Sequence, residues 1–294
     1  KKSVDVDYND WDFRPRERRI VTETRDMLGK YNSLLYDSVV EYIPYKETGY
    51  LSQLSCFLPL EETKHLKCRS RSYLRRIFAR GDLRLRYGGR FHARSISGNS
   101  HQRLRKTERK TITIDGVPTV ELDFSCLHPR MLYATKGIQY DLDVYREVFD
   151  DGEARSLVKT LVNADLNAPP GKSALRGVAN KVRKIRNRIW SGKREKISDK
   201  NLALLRAYET HGSRGRELLD RFRQEHGPLT EFLGTGIGLE LQRTESDIIM
   251  DVMMHFTEQG IVCLPVHDSV IIAAQHADEL LEAMQEAYKR RSEE

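Results

Sequence analysis

Two aspartates stand beside apolar, β-type runs: Asp123 in Val120-Glu121-Leu122-Asp123-Phe124-Ser125, and Asp268 in Leu264-Pro265-Val266-His267-Asp268-Ser269-Val270. A lone carboxylate next to buried chain costs several kcal/mol unless a cation or hydrogen bonds compensate. Brought together, the two make an oxygen-rich site that suits Mg²⁺. A two-metal site activates an attacking hydroxyl and stabilises a leaving pyrophosphate. Taken singly, either Asp also reads as a strand end capping a turn. Between them lie Arg155 and Lys159, four residues apart and so on one face of a helix, with Asn163 four further on. Paired cations on one face suit a triphosphate, although solvated helices carry the same spacing.

The elements that must position these groups follow from hydrophobic period and turn chemistry. Thr111–Ile114 alternates as a strand does, Asp115-Gly116 is a two-residue hairpin turn, and Val117–Phe124 resumes the extended pattern, which delivers Asp123 at a strand end. Residues 261–273 form a β-rich run with His267-Asp268-Ser269 at its centre. Helical spacing predicts helices over 18–42 (ending before Pro44), 72–77, 129–135, 153–166, 173–190, 202–224, 240–257 and 277–288. Gly88-Gly89 reads as a turn, and 96–106 as a loop. Gly171-Lys172-Ser173 resembles the end of a phosphate loop, but Leu166 stands where the first Gly is required; it reads as a turn, as does Gly234-Thr235-Gly236-Ile237-Gly238.

The 294 residues, 39% of them hydrophobic, suffice for a core, and no apolar run approaches the ~18 residues of a membrane span. Four scattered cysteines (Cys56, Cys68, Cys126, Cys263) form neither a zinc-ribbon spacing nor a disulfide framework. With no apolar leader at the N-terminus, the expected compartment is the cytoplasm. The net charge is +7, and its distribution is uneven. Lys64–Lys110 holds sixteen Lys or Arg against Asp82 and Glu108, a local +14, and Lys172–Lys196 holds ten against Glu195, or +9. Glu231–Glu282 carries ten acids and one base, or −9. Two basic blocks flanking acidic segments point to surfaces that follow a phosphate backbone. Tyr73, Phe78, Tyr87 and Phe91, interleaved in the first block, read equally as base-stacking platforms or as core.

In their order, these motifs resemble those of family A DNA polymerases and the related single-subunit phage RNA polymerases. Leu122-Asp123-Phe124-Ser125-Cys126-Leu127-His128-Pro129-Arg130 is similar to their motif A, Arg155–Asn167 to motif B, and His267-Asp268-Ser269 to motif C, with Ser after the Asp as in the RNA polymerase branch. Gln242-Arg243-Thr244-Glu245-Ser246-Asp247 resembles the Gln-containing helix that precedes motif C. The resemblance covers about residues 111–288. It implies that Asp123 and Asp268 hold two Mg²⁺ (Mn²⁺ being the alternative ion), that Arg155, Lys159, Asn163 and His128 bind the incoming nucleoside triphosphate, and that Gln242 and His267 lie near primer or template. His128 stands where family A has a glutamate that helps exclude ribose. Asn163 and Asn167 replace aromatic residues of motif B, and Lys159–Asn163 has the Lys-x-x-x-Asn spacing of family B polymerases.

The resemblance implies an α+β right-hand palm with an antiparallel sheet, a helical fingers insertion and a short N-terminal helical region. The palm is expected at 111–135 and 231–294, the fingers at 136–230, and a basic, thumb-like or template-gripping region at 1–110, too short for an editing domain. The expected function is that of a template-directed nucleotidyltransferase in DNA replication, a compact DNA polymerase without proofreading. It would act on nucleic acid (DNA template, RNA as the alternative) and nucleoside triphosphates, with no membrane partner. A primase or small RNA polymerase is the alternative enzyme, and an inactive palm that binds nucleic acid the alternative of another class.

Overall fold

The computed structural model describes residues 14–44, 67–145, 154–192 and 197–292. By its contacts the chain divides into two compact units, one running to Phe124 and resuming at Gln242–Ser292, the other comprising Ser125–Leu241. These cuts differ from the sequence-based borders at 110, 135 and 230.

The first unit is built on a six-stranded sheet in the order β2-β1-β5-β6-β8-β7, where β1 is Val40–Tyr42, β2 Cys68–Arg69, β5 Thr113–Ile114, β6 Val117–Asp123, β7 Cys263–Val266 and β8 Ser269–Ala273. Every pairing in it is antiparallel. Because β1 pairs with β5, residues before 110 belong to the same sheet as Asp123. The expected hairpin forms: Asp115 and Gly116 both take positive φ, 49° and 81°, and Val39 N–H donates to the Asp115 carboxylate at 2.6 Å. All nine residues of β7 and β8 are buried, and all but Ser269 are apolar. Helix α1 (Pro15–Asp37) ends short of the expected Tyr42, and the buried Tyr31 hydroxyl donates to Cys263 O at 2.7 Å. Ile248, Ile249, Val252, Met253 and Phe256 of α8 (Gly238–Glu258) are buried, as the periodicity predicts. Helix α9 (Ala277–Ser292) closes the unit.

Residues 72–77 are not helical. They lie in β3 (Arg71–Phe78), which pairs with β4 (Gly88–Ser97) in a separate two-stranded ribbon. Among the described residues, the expected short N-terminal helical region is therefore helical through α1, and 67–97 is largely β-structured. Alternation is blurred because Arg76 falls on the inner side, where it reaches Asp247, Ser246 and Gly89 O. Gly88 and Gly89, expected as a turn, instead open β4 with φ of 76° and 85° beside a bulge at Phe78. A lone two-stranded ribbon is marginal in water, and here both edges are closed by side-chain amides. Asn32 exchanges two hydrogen bonds with Leu74, and Gln102 accepts from Ala93 N at 2.8 Å while its amide lies 3.0 Å from Phe91 O. Gln102 sits in a 3₁₀ turn (His101–Arg103), followed by the single-turn α2 (Lys106–Arg109).

Among its described residues, the second unit is helical: α3 (Leu127–Ala134), α4 (Arg155–Asn167), α5 (Ala174–Trp190), α6 (Asp199–His211), α7 (Gly215–Glu225) and a 3₁₀ turn (Gly227–Phe232). The stretch read as one helix over 202–224 is two, broken by Gly212-Ser213-Arg214. Helix α4 supplies Leu157, Val158, Leu161, Val162 and Leu166 to a core shared with Val178, Val182, Leu204, Leu218 and Phe222. No helix among the described residues is long and apolar enough to cross a membrane.

Candidate functional site

The two aspartates meet in the first unit. In the β6–β8 ladder Asp123 faces Ser269, and the Phe124 N–H donates to Asp268 O at 3.1 Å. Asp268 is the second residue of the two-residue turn between β7 and β8, in which Val266 pairs with Ser269. The first turn residue, His267, takes φ 59°, a position that type II′ turns give to Gly. A non-glycine residue there carries strain of roughly 1–3 kcal/mol that surrounding structure must hold. The two aspartates, 145 positions apart in sequence, are thus brought to one end of two adjacent strands.

On the face carrying Asp123, period two also places Glu121. Its carboxylate receives Arg109 through two hydrogen bonds, 3.0 and 2.9 Å, and lies 2.9 Å from Ser269 Oγ. Ser269 Oγ is also 3.0 Å from Val266 O, so its single proton serves one acceptor at a time. Glu121 is therefore neutralised by Arg109, whereas Asp123 is exposed and Asp268 half-buried at the sheet end. Among the described residues no group of three or more His, Cys, Asp and Glu is arranged to hold a metal. Two carboxylates fit Mg²⁺, which binds through one or two of them and fills its remaining positions with water and substrate phosphate.

The β7–β8 hairpin is pinned from the side of β7. Pro265, on an edge strand where its missing N–H is tolerated, offers its carbonyl to His101 Nε2 at 3.1 Å and to Gln102 Nε2 at 2.9 Å. Gln102 therefore joins the β3–β4 ribbon to the hairpin that carries Asp268. Burial and the nearby Arg109 push buried His101 down to about 4, against the opposing pull of the Pro265 carbonyl, so it is neutral near pH 7. His92 of β4 is lowered by partial burial and by the charges of His267 and Arg90, which places it within electrostatic reach of the turn. Gln242 is half-buried on α8 and His267 is exposed.

In the second unit, Arg155 and Lys159 share one face of α4 and both lie over the Tyr145 ring, at 5.9 and 5.6 Å from its centroid. Arg155 Nε donates to Asp143 at 2.6 Å. Partial burial works to raise the Asp143 carboxyl, but the Arg155 hydrogen bond and charge, the Tyr145 N–H and the Cys126 thiol outweigh it and hold the group below the usual range. His226 fixes this loop: its Nε2 donates to Val144 O at 2.8 Å while Tyr133 OH donates to Nδ1 at 2.7 Å. Asn163 is half-buried one turn beyond Lys159, and its carbonyl accepts from the Asn167 amide at 2.7 Å. His128 is half-buried in α3, which begins after Cys126 in a left-handed conformation, φ 52°.

Sequence reasoning missed Glu121 and Asp143. Glu121 was marked by its place two residues before Asp123; Asp143 stands in a loop with no motif. Within the basic block at 64–110 three cations are committed to acids: Arg76 pairs with Asp247, Arg90 grips Glu245 at 2.7 and 2.6 Å, and Arg109 holds Glu121. Of the interleaved aromatics, Phe91 is core. The chain matches no family model and none of the curated proteins.

Proposed function

We propose that the chain is a template-directed nucleotidyltransferase, a DNA polymerase acting with two Mg²⁺ held by Asp123 and Asp268. The observation that supports this reading best is the placement of those two aspartates, one ending β6 and the other in the turn before β8, held in register by backbone hydrogen bonds. Bound there, Mg²⁺ would lower the pKa of an attacking hydroxyl and neutralise charge developing on a leaving pyrophosphate. Asp123 and Asp268 supply hard oxygen ligands, while Arg109 compensates the charge of the neighbouring Glu121. Arg155 and Lys159 bind the triphosphate in this reading, and Asp143 holds the Arg155 guanidinium in place until an anion competes for it. Tyr145 lies beneath both cations and limits their freedom.

A primer-extension matrix tests the proposal: dNTPs and rNTPs, DNA and RNA templates, with and without primer, in Mg²⁺ and in Mn²⁺. Primer-dependent incorporation of dNTPs on DNA is the expected result. Primer-free synthesis from rNTPs on single-stranded DNA assigns a primase or RNA polymerase instead. Salt-sensitive nucleic-acid binding with no incorporation in any arm leaves an inactive binding protein.

A further inference from the structure

We propose that the outer face of α5 binds single-stranded nucleic acid and that Trp190 stacks one of its bases. Trp190 ends the helix with 94% of its surface exposed, the most exposed large hydrophobic side chain among the described residues. The helix buries Ala174, Val178, Val182 and Ile185 as one stripe in the core of its own unit. Every charged residue of the helix, Arg176, Lys181, Arg183, Lys184, Arg186 and Arg188, is exposed, and the helix contains no acid.

A face that needed only hydration would mix signs, as i,i+4 pairs of opposite charge support a helix and like pairs such as Lys184 and Arg188 weaken it. Partial burial and the neighbouring Lys200 of α6 push Lys181 below its ordinary value, so positive charge is crowded even across elements. Arg186 reaches Glu209 of α6 at 3.5 Å, a contact exposed on both sides and weak. A polyanion relieves this crowding, and the cations spread along the helix can each neutralise a phosphate of a nucleic-acid backbone.

An indole beside such a row adds a stacking platform, which every base can use once it is out of a duplex. That favours a single strand over a double helix. A lipid surface is the other partner for a basic helix with a terminal Trp, but insertion requires a free apolar stripe, and this helix has spent its stripe in the core. The proposal rests on the nucleic-acid reading above for the class of polymer, and binding can be measured without catalysis.

The chain has two tryptophans, so a Trp11→Phe variant of the whole chain leaves Trp190 as the sole indole emitter. Its emission is titrated, without nucleotides, with oligo(dT), oligo(rU), a matched duplex, and phosphatidylserine-containing vesicles, in the Asp123→Asn background as well. The expected result is saturable quenching by the single strands, with log affinity falling linearly with log salt, and binding at least about tenfold weaker to the duplex. Trp190→Ala should weaken oligo(dT) binding, followed by the anisotropy of a labelled strand, about tenfold. Removing Lys184 and Arg188 together should lower the salt slope by about 1.4. Absence of quenching, equal quenching by duplex, or a blue shift on vesicles alone overturns the proposal. Quenching by a chain with Asp123 intact that incorporates no nucleotide removes the polymerase reading and keeps this one; incorporation without quenching does the reverse.

Discussion

The backbone N–H of Phe124 donates to the carbonyl of Asp268 at 3.1 Å. This bond carries the β6–β8 ladder one step past Asp123, into the turn that holds the second aspartate. The two acids are thus set side by side by main-chain pairing, and neither carboxylate is needed to form the hairpin. Each can be changed singly without removing the structure that positions the other.

Gln102 is the side chain that ties the ribbon to this hairpin, through Ala93 N, Phe91 O and Pro265 O. Gln102→Ala leaves these partly buried backbone groups without that partner, at about 2–3 kcal/mol in all. Urea denaturation should show that loss, and hydrogen exchange should show the Ala93 amide losing protection before the Leu74 amide, which Asn32 still holds.

His101 gives the fold a pH dependence. Its folded value is about 4 against an ordinary value of 6.5, so between these limits the unfolded chain binds more protons than the folded one. Stability therefore rises with pH across this window and falls as pH drops from 6.5 toward 4, by about 3 kcal/mol for this group. Urea midpoints measured from pH 7 to pH 4 should follow that slope. A His101→Gln variant, offset at pH 7, should lose the His101 share of it.

Arg155 and Lys159 are expected to act on the nucleotide. Arg155→Ala and Lys159→Ala should each raise the KM for nucleoside triphosphate about tenfold or more in steady-state kinetics, since charge-assisted bonds of this type are worth about 1.5–3 kcal/mol. Asp143→Asn weakens the competing hold on Arg155 and should lower that KM, and equal KM values in all three variants would remove the assignment.

The strand ends and the central turn were readable because their signals are local. Asp115-Gly116 sets the register of β5 and β6, and the apolar runs around Asp123 and Asp268 mark strands that end in acids. The β3–β4 ribbon was not readable, because its inner side carries Arg76, whose partner Asp247 lies 171 positions away. A charge on an inner face breaks the alternation that marks a strand, and no local pattern announces its partner. For the same reason no local pattern in the sequence announces the pairing of Arg90 with Glu245. The paired cations of α4 were legible from their spacing, but Asp143 and Tyr145 come from a loop that His226 holds in place, and that contact joins residues far apart in sequence.

Magnesium-dependent primer extension by the Asp123→Asn and Asp268→Asn variants, beside the unaltered chain, tests the central claim most directly. The account predicts that each variant loses at least about 10³-fold in incorporation rate, some 4 kcal/mol of transition-state stabilisation. Because Asp123 is exposed and Asp268 half-buried, each should keep its stability within about 0.5 kcal/mol. Full incorporation by either variant would contradict it.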